Sequence, residues 1–297
     1  MNDEVANALT ALFVPGDRPD RYGKAIASGA DIVIIDLEDA VAPPDKDAAR
    51  DAVAAALRPR SGARPGSGQP SQPQLRALVR INDPDSPLGA ADLAMVVSLA
   101  REPGHGLIGV LVPKAARVDA LAAVIEAVVG VRAPGHSPDA LAVVALIESA
   151  LGVAHVHTLA ALPGLTRLAF GALDFALDVG AEVDSLTGQV ARAEVVIASR
   201  AAGLSAPWES PSTSLSDATL IEETSRAARA LGFGGRLCVH PAQLAAVRAG
   251  FAPSADDVAW ARRMAGAGDS VTRVDDQMVD RPVLERARSI LRRAPSP

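Results

Sequence analysis

Residues 31–41, DIVIIDLEDAV, place three carboxylates, Asp36, Glu38 and Asp39, directly after four apolar residues. Ile32, Val33, Ile34 and Ile35 are all β-branched, the pattern of a strand buried on both faces, as in parallel sheets. Three acids at the end of such a strand repel one another unless a cation, a basic side chain or water offsets them. Other apolar runs also end in polar groups: Arg80 and Asn82 in LVRIND, Lys114 in VPKA, Glu148 in ALIES, Asp174 in FGALD and His240 in LCVHP. Glu148 and Asp174 are the most informative. Each follows an apolar stretch beside small residues, and neither has a Lys or Arg close by in sequence. Two carboxylates from adjacent strands are hard oxygen ligands suited to Mg2+, which keeps several waters. Either acid alone reads as well as a favourable charge at a helix start. The pair with Arg80 favours a site. Arg80 offers a planar fork for a carboxylate or a developing oxyanion, and pairing with Asp36 or Asp39 is compatible with that role.

The remaining candidates carry less. His155 and His157 lie two apart on an expected helix and face different directions, so they do not share a metal. Cys238, between Leu237 and Val239, reads as a small buried residue. Arg18, Arg21 and Lys24 follow FVPG, and Lys46 and Arg50 follow the acidic cluster. Together these bases suit a polyanion such as a phosphorylated cofactor; singly, each reads as a solvated helix face.

Eight apolar runs are available to position these groups: 12–16, 31–39, 75–82, 108–115, 141–149, 166–174, 203–208 and 235–241. Between them lie segments of helical period, among them PDKDAARDAVAAAL, RVDALAAVIEAVV, ALGVAHVHTLAAL, QVARAEVVIASRAA and SDATLIEETSRAARAL. Eight strands alternating with helices predict an α/β fold, a closed (β/α)8 TIM barrel whose chemistry sits at the carboxyl ends of the strands. An open doubly wound sheet is the weaker fit. GFGGRL lacks the third glycine of a dinucleotide fingerprint and follows a helix, and no G-x-x-x-x-G-K-[ST] occurs. The barrel is expected over residues 1–242. A helical extension, 243–297, is expected to pack on the barrel or on a neighbouring subunit. Segments 58–74 and 132–138, rich in Pro, Gly and Ser, read as surface excursions.

Composition narrows the class. In a chain of 297 residues, 49% hydrophobic residues supply a sizeable core, and a net charge of −6 argues against nucleic-acid or anionic-membrane partners. The single cysteine excludes an internal disulfide and a zinc site built on thiolates. No apolar run approaches the roughly 20 residues of a membrane span, and acids stand where a secretory signal carries Lys or Arg. The expectation is a cytoplasmic protein.

Taken in order, LFVPGDRPDRYGKAIASGADIVIIDLEDAVAPPDKDAAR, VRIND, VPKA, ALIESALGV, LAFGALDFALDVGA, ARAEVVIASRAAGL, LGFGGRLCVHPAQL and MVDRPVLERAR cover nearly the whole chain. They resemble the citrate lyase β-subunit-like CoA-ester lyases of the HpcH/HpaI aldolase group, relatives of malyl-CoA and citramalyl-CoA lyases. The resemblance implies a homo-oligomeric (β/α)8 barrel, trimer or hexamer, acting on a CoA thioester with Mg2+. It assigns the metal to Glu148 and Asp174, with Glu38 and Asp39 as catalytic carboxylates reaching it through water. Arg80 is expected to grip the keto-acid end of the substrate, and Phe13, Lys24 and Lys46 to contact the CoA ester. Asp280 of MVD is expected to be lent to a neighbouring subunit as the proton-transferring acid. A citrate lyase β subunit working with an acyl-carrier subunit is the alternative. The chain departs from the family at APWESPSTSL, where an AID pattern is common, and at DDQMVD, which keeps the Met and Asp but lacks the usual preceding glycine.

Overall fold

The computed structural model describes residues 2–59, 75–131, 141–266, 272–274 and 277–294. Residues 60–74 and 132–138, expected as surface excursions, lie outside the described residues. Strands β1 (Thr10–Pro15), β2 (Ile32–Asp36), β3 (Ala77–Arg80), β4 (Leu107–Val112), β5 (Ala142–Ile147), β6 (Arg167–Phe170), β7 (Ser205–Glu209) and β8 (Gly235–Cys238) close in chain order into a barrel. Neighbouring strands are parallel, including β1 against β8. The expected (β/α)8 architecture is therefore present. Helix α1 (Asp3–Asn7) precedes β1, and α2 (Pro19–Ala27), α3 (Lys46–Leu57), α4 (Pro87–Ala100), α5 (Val118–Val129) and α6 (Ala150–Ala160) follow β1 to β5 in turn. Helices α7 (Ala172–Val179) and α8 (Leu186–Ala201) follow β6, α9 (Ala218–Leu231) follows β7, and α10 (Gln243–Phe251) follows β8.

The two-faced burial expected from the β2 sequence is realised. Ile32 and Ile34 point into the barrel with Leu78, Leu111, Val144 and Trp208, while Val33 and Ile35 join the layer between strands and helices. Both layers exclude water, so a polar residue on either face of β2 would need buried hydrogen-bond partners. The sixth run is shorter than expected. β6 ends at Phe170, and Asp174 stands in the first turn of α7 rather than at the end of a strand.

At the amino ends of the strands, the first residue of β6, Arg167, lies buried inside the barrel. Its Nε donates to the Ala206 carbonyl at 2.7 Å, and its NH1 donates to the carbonyls of Val5 at 3.0 Å and Ala8 at 2.7 Å. The guanidinium lies over the Trp208 ring, 4.5 Å from its centre. Trp208 Nε1 also donates to the Ala8 carbonyl, so α1 and the turn after it are pinned as a plug.

Beyond β8, α10 packs against α9. Helix α11 (Ala255–Ala265), the antiparallel pair β9 (Thr272–Val274) and β10 (Gln277–Val279), and α12 (Arg281–Arg293) follow. Ala261, Met264, Val279, Leu284, Ala287 and Ile290 form a small separate core there. No helix among the described residues is long and apolar enough to cross a membrane.

Candidate active site

The register pairs Asp36, the last residue of β2, with Arg80, the last of β3. That places their side chains side by side at the carboxyl end of the barrel. Arg80 Nε donates to Asp36 Oδ1 at 2.6 Å and its NH2 to Oδ2 at 2.5 Å, a two-point fork. Arg80 NH1 lies 2.8 Å from Glu38 Oε2 and 3.6 Å from Asp39 Oδ2. Burial alone lowers the guanidinium pKa, but the bonds and charges of Asp36 and the charge of Glu38 outweigh it and raise it. This is how the chain tolerates three neighbouring acids. The guanidinium also covers Phe13, 4.8 Å from the ring centre, on the wall formed by β1.

A second set of contacts runs from β4 to β5. Lys114 is the sole non-glycine residue with positive φ among the described residues, at 49°. A left-handed conformation is unusual for a lysine and marks a backbone held by its surroundings. Here it directs the Lys114 N–H to Glu148 Oε1 at 2.7 Å, while Nζ reaches Glu38 Oε1 at 2.6 Å. Glu148, just past β5, is 4% exposed. Burial pushes its carboxyl up to about 8; the Lys114 N–H opposes that shift, and the negative charges of Glu38 and Asp174 add to it. Gly171 makes room for it. A Cβ built there would stand 2.6 Å from Glu148 Oε2. Asp174 is exposed on the first turn of α7, and Ser210 holds that turn. Ser210 Oγ accepts the Ala172 N–H at 2.5 Å and donates to the Phe170 carbonyl at 2.8 Å.

Phe13, Asp36, Asp39, Arg80, Glu148 and Asp174 line one cavity of about 370 Å3 at this mouth, together with Gly171 and Ser210. The arrangement therefore brings together Arg80, Phe13, Asp39, Glu148 and Asp174, with Glu38 behind Arg80. Lys24 is exposed on α2 and does not line the cavity. Lys46 is buried, and its ammonium donates to Leu37 O, Glu38 O and Asn82 Oδ1. Asp280 caps α12 by accepting the Val283 N–H at 3.2 Å, and it is not in the wall of its own chain's cavity. His155 and His157 diverge as their spacing requires: His155 Nδ1 lies 2.8 Å from the Ala116 carbonyl and His157 Nε2 3.1 Å from Glu194. Cys238 is buried, and burial pushes its thiol up to about 12.

The place of Lys114 at a strand end is legible in the sequence, but its two contacts and the role of Ser210 are not. The VPKA run signals the turn at Lys114. Ser210 lies in the segment that departs from the family, where only its small hydroxyl hints at a backbone bridge.

Among the described residues no three of His, Cys, Asp and Glu gather as a metal-binding group. The donor set is smaller, one buried carboxylate and one exposed carboxylate facing a common cavity. Mg2+ is bound through one or two carboxylates with retained waters, so the set fits that ion and fits a thiophilic or imidazole-seeking metal poorly. The raised Glu148 pKa points the same way, because a nearby cation relieves what burial and neighbouring charges impose.

A closed (β/α)8 barrel whose carboxyl-end mouth carries paired carboxylates and a clamped arginine defines a barrel enzyme. Residues 9–241 match the family described as HpcH/HpaI aldolase/citrate lyase, and the chain belongs to that family of lyases. A citrate lyase subunit beta-like protein of Mycobacterium tuberculosis is 34% identical over 95% of this chain and 94% of its own. An L-malyl-CoA/beta-methylmalyl-CoA lyase of Cereibacter sphaeroides is 32% identical over 95% of this chain and 93% of its own. The crystal structure of protein CitE from Mycobacterium tuberculosis, in complex with magnesium, acetoacetate and coenzyme A, superposes with a TM-score of 0.77 at 30% identity, covering 97% of this chain and 98% of that one.

Proposed function

We propose that this chain is a cytoplasmic, magnesium-dependent carbon–carbon lyase that cleaves or forms a 3-hydroxyacyl-CoA ester such as malyl-CoA or citramalyl-CoA. The products are acetyl-CoA and glyoxylate or pyruvate. The observation that carries this reading is a buried Glu148 with a raised pKa, facing the same cavity as Asp174 and Arg80. Glu148 and Asp174 hold the ion. Bound there, magnesium supplies Lewis-acid polarisation of the substrate's carboxylate and hydroxyl oxygens. Arg80, kept cationic by Asp36 and Glu38, stabilises the oxygen that becomes the ketone as the carbon–carbon bond breaks. Glu38 and Asp39 orient Arg80 and would reach a bound ion through water. Phe13 and Lys24 contact the CoA ester. The hydroxyl gives up its proton to solvent as its oxygen becomes the carbonyl of the released 2-oxo acid, and the electron pair of the broken carbon–carbon bond forms the enolate of the acyl thioester. Asp280 of a neighbouring copy in a homotrimer or hexamer returns a proton to that carbon, or removes it in the condensing direction. Asp280 does not line its own chain's cavity, which is compatible with service to a neighbouring copy.

The relatives named as citrate lyase subunit beta-like support a second reading, action on an acyl-carrier-bound citryl thioester within a multi-subunit complex. One experiment separates the two. Purified protein is given malyl-CoA and both citramalyl-CoA enantiomers, with and without Mg2+, and release of glyoxylate or pyruvate is followed. Turnover of free CoA esters supports the first reading. Turnover only with an acyl-carrier protein supports the second.

A further inference from the structure

Behind the mouth lies a second polar cluster, built from α3 and α4. Lys46, the first residue of α3, donates to the carbonyls of Leu37 at 2.8 Å and Glu38 at 2.8 Å and to Asn82 Oδ1 at 2.7 Å. An ammonium has three N–H donors, so none is left for a ligand. The two carbonyls belong to the peptide planes on either side of the Glu38 Cα. Holding both on one nitrogen fixes the direction in which the Glu38 side chain leaves the backbone. The third acceptor is itself oriented. Asn82 Nδ2 donates to Leu37 O at 2.9 Å and to Asp92 Oδ2 at 2.6 Å, and the Asn82 backbone N–H also donates to Asp92 Oδ2, at 2.8 Å. Asp92 is held by Arg50 Nε at 2.7 Å, and Arg50 stands one turn after Lys46 on the same face of α3.

The Glu38 carboxylate needs this backbone support. Its Oε2 is buried and accepts no hydrogen bond among the described residues, although it lies 2.8 Å from Arg80 NH1. Its Oε1 accepts from Lys114, whose backbone N–H in turn holds Glu148. A continuous line of contacts therefore joins the start of α3 to both Arg80 and Glu148. A buried ammonium without a carboxylate partner is costly, and an apolar side chain would fill the same space at lower cost. What the ammonium provides is the fixed pair of carbonyls.

We propose that Lys46 is a positioning residue for the reaction at the barrel mouth: with Asn82 and Asp92 it sets the backbone around Glu38 and so the placement of Arg80 and Lys114. The proposal rests on the lyase reading above and gives Lys46 a role other than contact with CoA. The test is Lys46→Met in the magnesium-loaded full-length protein. A displacement of roughly 1 Å at the mouth costs about 100-fold in turnover. The expected result is a fall in kcat of about 10- to 100-fold with KM for the thioester within about twofold of wild type. A KM that rises while kcat holds would assign Lys46 to the ligand and overturn the proposal, and so would unchanged kcat and KM. Lys46→Cys in a Cys238→Ala background, alkylated with 2-bromoethylamine to restore an ammonium, is expected to regain most of the lost kcat; an alkylated protein as slow as the unmodified one counts against positioning. If Lys46→Met does not fold, Asp92→Asn carries the same kcat-against-KM test. A readout independent of turnover is solvent exchange of the Arg80 Nε–H, which Asp36 protects, followed by NMR. Faster exchange in Lys46→Met supports positioning and unchanged exchange contradicts it, even if the wild-type protein cleaves no thioester and the lyase reading falls.

Discussion

Two arginines stand at opposite ends of the barrel, Arg167 buried and Arg80 partly buried, and they differ in what surrounds them. Arg167 meets three backbone carbonyls and the face of Trp208 at the amino end. With no carboxylate beside it among the described residues, burial pushes its pKa down to about 9. Arg80, at the carboxyl end, faces Asp36, Glu38 and Asp39 and is held above its ordinary value against the effect of burial. The same guanidinium serves as a structural tie in one place and as a charge for chemistry in the other. Every donor used at the bottom goes to a neutral carbonyl of a plug that need not move. At the top, surrounding acids keep the cation charged beside a cavity and leave it able to meet a further oxygen.

The largest effect expected from breaking this comparison is at Arg80. Arg80→Lys keeps the charge but loses the planar fork, and kcat/KM should fall about 10²- to 10³-fold while the far-ultraviolet spectrum stays that of wild type. Arg167→Met should do the reverse. Leaving the carbonyls of Val5 and Ala206 without this buried donor, and that of Ala8 with Trp208 Nε1 alone, costs about 2–4 kcal/mol, read by urea unfolding, and turnover per folded molecule is unchanged. Equal losses of activity at both sites would remove the distinction.

A smaller effect is expected at Gly171. A methyl group there meets both Glu148 Oε2 and Glu148 Cβ at 2.6 Å, so Gly171→Ala should displace the side chain, weaken Mg2+ binding about tenfold by calorimetry and lower the melting temperature. A further effect is pH-dependent. The Glu148 carboxyl is raised from 4.5 to about 8 in the fold, so across that interval the folded state holds a proton that the unfolded state has released. Stability contributed by this group therefore falls as pH rises, by at most about 1.4 kcal/mol per pH unit. In metal-free protein, Glu148→Gln should melt higher than wild type at pH 8, and the two should converge toward pH 5. Added Mg2+ should raise the melting temperature of wild type alone at pH 8.

Much of the barrel was legible because a parallel strand buried on both faces has few alternatives. The runs around Ile32–Ile35 and Val143–Ile147 admit no solvent-facing side, and each of the eight runs overlaps a strand, with β1, β4 and β7 displaced by one or two residues. Asp174 was set at a strand end because Ala172 and Leu173 prolong the apolar run of β6, whereas Gly171 ends the strand and starts α7. Helix α4 was not singled out, since Leu88, Leu93, Met95, Val96, Val97 and Leu99 lie on all its sides and blur the period. The pairing of Arg80 with Asp36 was readable as an option from their places at neighbouring strand ends. Lys46 was not. Its partners Leu37 and Asn82 lie on separate loops, and only the closed barrel brings them behind Glu38. Arg167 was equally silent, one base inside an apolar run, because nothing local tells an interior guanidinium from a strand-end one.

Glu148, as a carboxylate that would seat magnesium beside Arg80, is the residue on which the proposed chemistry depends. The most direct measurement is Mg2+-dependent release of keto acid from malyl- or citramalyl-CoA by wild type and by Glu148→Gln at pH 8, with Mg2+ binding followed by calorimetry in the same samples. The prediction is saturable Mg2+ dependence for wild type, and loss of both binding and cleavage for a variant that remains folded. Cleavage by wild type after complete chelation, or a Glu148→Gln protein that binds Mg2+ and turns over normally, would contradict it.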